Sequence, residues 1–301
     1  MRQDFETAEL KAELERTLGF RLRTLERLDG ASALNFRAER DPDGFTFAVK
    51  CSPKGRQVMF DHLVAHLRET EGTKAVRRLF AAECPSTFRG YNVICLSWCA
   101  GERLFPDRLT DAQLVGFLDD YLAFSEAMQK ATGIVPHDPT LEWRTKALAN
   151  CRGLWGRPVR RLIERELPVA EVAYVPERLK VIHGDFHHGN FLFADGRVNG
   201  FFDLEEFCEG YPSDDIVRYF VCAAEHLRWY EWRRCGRIVR RFSKAVRHLP
   251  YPREDWLVSI NGLLVRKIFM KTQDGVGPVR AVNLLFRARL YRLLRGIVRS
   301  L

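Results

Sequence analysis

No apolar run in the 301-residue chain approaches the roughly 18–20 residues that cross a bilayer, so no membrane-spanning helix is expected. The start, Met1-Arg-Gln-Asp-Phe-Glu6, lacks the apolar core of a leader, so no secretory signal is expected. The eight cysteines form no Cys-x-x-Cys unit, and the nearest pair, Cys95 and Cys99, excludes both a zinc ribbon and a thiol redox motif. Scattered thiols fit a reducing compartment, and a cytoplasmic location is the expectation. Internal repeats and low-complexity tracts are absent. Acid is scarce near the end of the chain. From Arg228 onward 18 Lys/Arg face four acids, a balance of +14, whereas residues 1–227 carry −5 of the total of +9. Such asymmetry raises the question of an anionic partner for the basic part.

What is present separates into two regions. Residues 5–18 set Phe5, Leu10, Leu14 and Leu18 at mostly helical spacing and end at Gly19, which predicts a helix and its stop. Residues 34–40 and 45–51 flank Asp41-Pro-Asp-Gly44 and read as antiparallel strands about a tight turn. An amphipathic helix is expected over 57–69, with Val58, Leu63, Val64 and Leu67 on its apolar face. Residues 91–97 read as a strand closed by Ala100-Gly101. Beyond Gly101 the spacing predicts helices over about 110–131, 141–150, 157–167, 213–228, 230–248, 254–272 and 279–299. The interruption is 178–204, where residues 179–183 and 200–203 read as short strands around a polar loop. A hinge near Ser97–Gly101 divides a β-rich part, 1–98, from a mainly helical part, 99–301.

That polar loop is His183-Gly-Asp-Phe-His-His-Gly-Asn190. Catalytic groups often sit on loops held by rigid elements. Asp185 and Asn190, five residues apart, can aim two oxygen-bearing side chains at one point, and Asp203 supplies a further carboxylate. Phosphoryl transfer needs a carboxylate to orient the acceptor hydroxyl and oxygen ligands for Mg²⁺. Hard oxygen ligands at two stations suit Mg²⁺ better than zinc.

The pattern resembles the aminoglycoside phosphotransferase and choline kinase superfamily, whose loop runs His-x-Asp-x-x-x-x-Asn, matched at His183, Asp185 and Asn190. Phe202-Asp203-Leu204-Glu205 resembles its metal-binding segment, and Pro212-Ser-Asp-Asp215-Ile216 its following Pro-x-x-Asp-apolar. The resemblance implies an α+β, two-lobed protein-kinase-like fold, with a nucleotide-binding N-lobe over 1–98 and a C-lobe over 99–301 that carries the catalytic loop. It implies ATP and Mg²⁺ as cofactors and transfer of the γ-phosphoryl group to a hydroxyl of a small molecule. Asp185 would orient that hydroxyl or act as base, Asn190 and Asp203 would bind Mg²⁺, and His183 would brace the loop. Asp215 would cap the next helix and tie it to the loop. Lys50 on Phe47-Ala-Val-Lys50 would hold phosphates, with Gly30, Ser32 and Asn35 in a loose phosphate loop. The backbone around Ser97 and Cys99 would meet the nucleotide base. The family pairs its strand lysine with a Glu on the following helix; here Asp61 is the candidate, shorter and one residue out of register.

Other readings attach to the same residues. His183, Asp185, His187 and His188 match no zinc spacing. A nucleotide-binding pseudokinase scaffold would lose Lys50, Asp185, Asn190 or Asp203, and all four are present. Only eight residues separate Asp203 from Pro212, too few for a protein kinase's activation segment. Glu205, Glu206 and His188 are candidate acceptor contacts, and acids there favour a cation such as an aminoglycoside or amino alcohol. The basic C-terminal helices favour an anion, a membrane-presented envelope or lipopolysaccharide-core sugar, or peripheral contact with an anionic membrane. They serve equally as amphipathic helices packed on the domain with solvated arginines. No groove-reading or base-stacking motif accompanies the charge, so a nucleic-acid partner is not expected.

Overall fold

The computed structural model describes residues 6–28, 33–53, 86–129, 140–203, 207–227 and 230–301. The expected helix over 57–69 lies outside them. The chain divides into two compact units, Met1–Glu102 with Glu126–Gly133 and Phe191–Glu205, and Arg103–Ser125 with Ile134–Asn190 and Glu206–Leu301.

The first unit is built on helix α1 (Thr7–Leu18) and strands β1 (Leu22–Leu28), β2 (Leu34–Arg40), β3 (Thr46–Pro53), β4 (Ser86–Phe88) and β5 (Tyr91–Ser97). The sheet is antiparallel in the order β1-β2-β3-β5-β4. Strand alternation sends Leu34, Phe36 and Ala38, then Phe47, Val49 and Cys51, then Tyr91, Val93 and Cys95 into one core with Leu10 and Leu14 of α1. Lys50 therefore points to the opposite face, in register with Asn35 on one side and Ile94 on the other. Gly19 ends α1 with φ 73°, as its position past the last apolar residue implies.

The same unit holds a hairpin of β7 (Phe191–Ala194) and β8 (Arg197–Phe201). Its turn is Asp195-Gly196, both with positive φ, the two-residue hairpin chemistry. The expected strand over 200–203 thus begins earlier and stops at Phe201, because the turn sets the register; β7 was not foreseen. The segment after β5 is stitched to this hairpin: Glu102 and Phe193 exchange backbone hydrogen bonds at 2.9 Å in both directions. The Asn199 amide donates to the Ala100 carbonyl at 2.8 Å. Gly101 has φ 137°, and a Cβ there would stand 2.3 Å from the Phe193 carbonyl oxygen.

The second unit is mainly helical: α2 (Asp111–Met128, whose last turn belongs to the first unit), α3 (Thr140–Asn150), α4 (Gly153–Glu166), α5 (Pro212–Glu225), α6 (Trp232–His248), α7 (Arg253–Thr272) and α8 (Pro278–Ser300). Helix α7 packs on α3, α5 and α8 and is buried along much of its length, Trp256, Ile260, Leu264 and Ile268 among its core residues. Short strands β6 (Lys180–Ile182) and β9 (Cys208–Gly210) pair antiparallel. Helix α4 begins at Gly153, ahead of the expected 157, and encloses Pro158. Gly153 with φ 73° turns the chain into it, and Val159, Leu162 and Ile163 supply the buried face.

Replacing Gly101 by alanine combines a left-handed backbone with a clash against backbone, and should cost about 2–4 kcal/mol. Urea denaturation checks this; an unchanged midpoint would show that the segment relaxes without loss.

Candidate functional site

The loop from His183 to Asn190 leaves β6 and is held from below by one carboxylate. Asp215, 1% exposed, accepts the His183 N–H at 2.8 Å and the Gly184 N–H at 3.1 Å. The Tyr121 hydroxyl donates to the Pro212 carbonyl at 2.7 Å and lies 3.1 Å from the same carboxylate. Asp215 therefore ties helix α5 to the loop, as expected, but it does not cap the helix. Capping falls to Asp214, whose carboxylate accepts the Tyr211 N–H at 2.9 Å while its own N–H donates to the Tyr211 carbonyl. The residue at the third helical position can reach back to the helix start; the next one points inward. Phe186 anchors the loop from within, fully buried among Phe117, Tyr121, Tyr219 and the His183 ring.

Above these anchors stands Asp185. Its backbone N–H reaches the His183 Nδ1 at 3.4 Å, and its carbonyl accepts the Asn190 amide at 2.9 Å. That donation assigns the Asn190 Nδ2 to the loop, and the amide oxygen is a hard donor of the kind that could serve a divalent ion. His183 is fully buried. The Asp185 carboxylate lies 3.3 Å from the Arg218 guanidinium and 3.5 Å from the His187 Nε2. Burial works to raise this carboxyl, but His187 and the Arg218 charge overcome it and hold it below the usual carboxylate range. Arg218 was not foreseen. It stands three residues beyond Asp215, so a helical reading would have set it on the same face of α5.

His187 accepts the Gly189 N–H on Nδ1 at 3.0 Å, which leaves Nε2 to carry the proton towards Asp185. A Cβ on Gly189 would meet the His187 ring at 2.6 Å, so a side chain there would displace that ring. His188 faces elsewhere: its ring stacks on Phe105 at 4.1 Å and meets His226 edge-on. Burial, reinforced by neighbouring His187, lowers its pKa to about 4, so it is uncharged at neutral pH.

The first unit gathers a second set. The Lys50 ammonium reaches the Asp203 Oδ1 at 2.5 Å, with the lysine side chain 10% exposed and the aspartate 36%. Asp203 sits just past β8 with φ 66°, a left-handed turn. Asn35 lies opposite Lys50 on β2, its amide directed to the Ala33 carbonyl at 3.5 Å. Ser97 closes β5, and the buried Cys99 thiol donates to the Asn199 carbonyl at 3.9 Å. Gly30, Ser32, Asp61, Glu205 and Glu206 lie outside the described residues. Thus His183, Asp185 and Asn190 are brought together on one loop, and Lys50 and Asp203 in one ion pair. Among the described residues, no three His, Cys, Asp or Glu side chains gather as a metal cage.

A sheet that presents a buried lysine to an aspartate, and a helical unit that braces a His-x-Asp-x-x-x-x-Asn loop, define an α+β protein of protein-kinase-like fold. The profile of the phosphotransferase enzyme family matches residues 24–250, and the chain belongs to that family, whose members phosphorylate hydroxyl groups of small molecules. No curated protein sequence matches the chain. Among solved structures, an amicoumacin kinase in complex with AMP-PNP, Ca²⁺ and Ami is similar at 11% identity. The match covers 97% of this chain and 94% of that one, with TM-score 0.64. A spectinomycin phosphotransferase in complex with ADP and its antibiotic is similar at 12% identity, over 99% and 98% of the two chains, TM-score 0.63. The macrolide 2′-phosphotransferase of Brachybacterium faecium gives 12% identity over 97% of both chains, TM-score 0.60.

Burial, against the pull of two N–H donors and Tyr121, pushes the Asp215 carboxyl up to about 7. The native chain then holds a proton that the unfolded chain, titrating near 3.8, has lost. This group's contribution to stability is full below the unfolded value and declines as pH rises through about 7. Asp215→Asn, neutral at every pH, should be less stable throughout yet lose less stability between about pH 5 and 7 than the parent. Urea midpoints across that range decide it, and parallel curves would assign the titration to another group.

Proposed function

We propose that the chain transfers the γ-phosphoryl group of ATP to a hydroxyl of a small molecule such as an aminoglycoside, an amino alcohol or a sugar-like acceptor. The observation that carries this reading is the Asp185 carboxylate, kept ionised beside Arg218 and His187 on a loop locked by Asp215. Nucleotide would lie on the N-lobe, residues 1–98, with Lys50 on its phosphates, Gly30, Ser32 and Asn35 in the phosphate loop, and the Ser97–Cys99 backbone at its base. The C-lobe, residues 99–301, would supply the catalytic loop and the acceptor contacts. The similar structures solved with AMP-PNP, ADP and Ca²⁺ support nucleotide and a divalent ion as the partners of this site.

Asn190 and Asp203 are the residues that would hold Mg²⁺, two hard oxygen donors of the number that ion takes from protein. Bound there, the ion would neutralise charge on the transferring group. Asp185 would accept a hydrogen bond from the acceptor hydroxyl and hold its oxygen in line with the γ-phosphorus. The new oxygen–phosphorus bond forms as the bond to the β–γ bridging oxygen breaks and ADP leaves. With its pKa held low, Asp185 orients the hydroxyl and takes its proton late, after bond cleavage has advanced. Lys50 exchanges Asp203 for phosphate oxygens when nucleotide enters.

A second reading, an acceptor sugar presented at a membrane, draws on the outer face of α8 treated below.

ATP turnover with Mg²⁺ should be stimulated by one acceptor class in a panel of aminoglycosides, amino alcohols, sugars and envelope-sugar acceptors. Asp185→Ala should lower kcat by about 10²–10⁴-fold with nucleotide affinity nearly unchanged; full turnover in that variant would remove Asp185 from the mechanism. Lys50→Ala should instead weaken nucleotide binding by about tenfold to a hundredfold, the loss of one charge-assisted hydrogen bond. Calorimetric titration separates the two effects, and equal affinity in parent and variant would place the phosphates elsewhere.

A further inference from the structure

The basic C-terminal helices differ in what they do with their apolar residues. Helix α6 turns Ile238, Phe242 and Ala245 into the core. Several of its basic groups find acids, Arg234 at Asp107, Arg241 and Lys244 at Asp111, and His248 at Asp119. Helix α8 also has a packing face, with Ala281, Leu284, Ala288, Tyr291, Arg295 and Val298 buried at heptad spacing against its neighbours α4, α6 and α7.

The opposite side of α8 repeats the pattern towards solvent. Val279, Val282, Phe286 and Leu293 fall at the same spacing and are exposed to 72, 62, 58 and 50%. Leu285, Leu290 and Ile297 beside them are only half-buried. A run of large apolar side chains on one outward helix face marks a contact surface, whereas scattered single ones would not. Six arginines and no acid occur in this helix, and five of the six meet acids of neighbouring segments, Arg280 at Asp274, Arg287 at Glu225, Arg292 and Arg295 at Glu166 and Arg299 at Glu171. Arg289 stands within the stripe, its guanidinium 5.9 Å from the Phe286 ring. Arg292 and Arg299 flank it, each about half exposed while paired with Glu166 and Glu171. A groove of about 360 Å³ runs beside them, rimmed by Arg165, Arg292, Arg295 and Arg299 and by those two glutamates.

From this arrangement we infer that the outer face of α8 lies on an anionic lipid surface, with Val282, Phe286 and Leu293 in the acyl boundary and Arg289, Arg292 and Arg299 among the headgroups. Charge selects this occupant. A second copy of α8 would set Arg289 against arginine, whereas an anionic leaflet meets Arg289 within the stripe and the wider surplus of 18 Lys/Arg over four acids from Arg228 onward. No helix among the described residues is long and apolar enough to cross a membrane, so the contact is peripheral. The inference does not depend on the acceptor.

The test is flotation of the full chain with vesicles of phosphatidylcholine alone and of an equal mixture with phosphatidylglycerol. The chain should float with the mixed vesicles, far less with the neutral ones, and less again as salt is raised. Phe286→Ser with Leu293→Ser, and separately Arg289→Glu, should each lower the bound fraction by about tenfold. These side chains are exposed, so the circular dichroism melt should not move; if the double variant melts early, Val279→Ser with Val282→Ser replaces it. Absence of flotation with mixed vesicles, or flotation undiminished in the variants, would overturn the inference. So would a dimer seen by light scattering that the double variant dissolves, since that would assign the face to a second copy.

Discussion

Two neighbouring backbone N–H groups, those of His183 and Gly184, converge on one buried carboxylate, and the geometry of the candidate active site depends on that junction. Asp215 is almost wholly removed from water, so its polar atoms need protein partners, and the loop supplies them. The carboxylate belongs to the first turns of α5, and the rigidity of that helix passes to the loop. Phe186 fixes the other side by filling the aromatic pocket of Phe117, Tyr121 and Tyr219. With both sides fixed, the intervening Asp185 has little freedom and faces outward. Its ionised state follows from that placement, because Arg218 projects from the same helix that holds Asp215.

Each unit sets a carboxylate of the candidate site against a cation. In the first unit, β-alternation carries Lys50 away from the apolar core and gives its ammonium to Asp203 at the end of the β7–β8 hairpin. In the second, Arg218 does the same for Asp185. Pairs of this kind keep a partly buried charge compensated. Arginines of α6 and α8 also meet acids, Arg234 at Asp107 and the buried Arg295 at Glu166, and the difference between the helices lies in where the apolar residues between them point.

How much of this was legible differs from residue to residue. The strand over 91–97, the hairpin about Asp41–Gly44 and most of the helices beyond Gly101 stand near the expected places, because period 2 and period 3.6 are local properties of the chain. The loop motif at His183, Asp185 and Asn190 was equally plain, since Phe202–Glu205 and Pro212–Ile216 follow it in the family's order. The β7–β8 hairpin was readable from Asp195-Gly196 and was passed over. The early start of α4 was hidden by Pro158, which reads as a helix start and instead lies within one.

By itself the sequence determined the family, most of the helices and the loop motif at His183, Asp185 and Asn190, because propensity, periodicity and motif spacing act over a few neighbours. Only the tertiary structure decided which acid each cation meets. It set Lys50 on Asp203 across 153 positions of chain, Arg218 on Asp185, and Asp215 on the loop while Asp214 took the cap. It also decided that α6 buries its apolar stripe and α8 keeps one outside. Those choices depend on burial and on long-range packing, and desolvation decides them only when the whole unit has closed around each group.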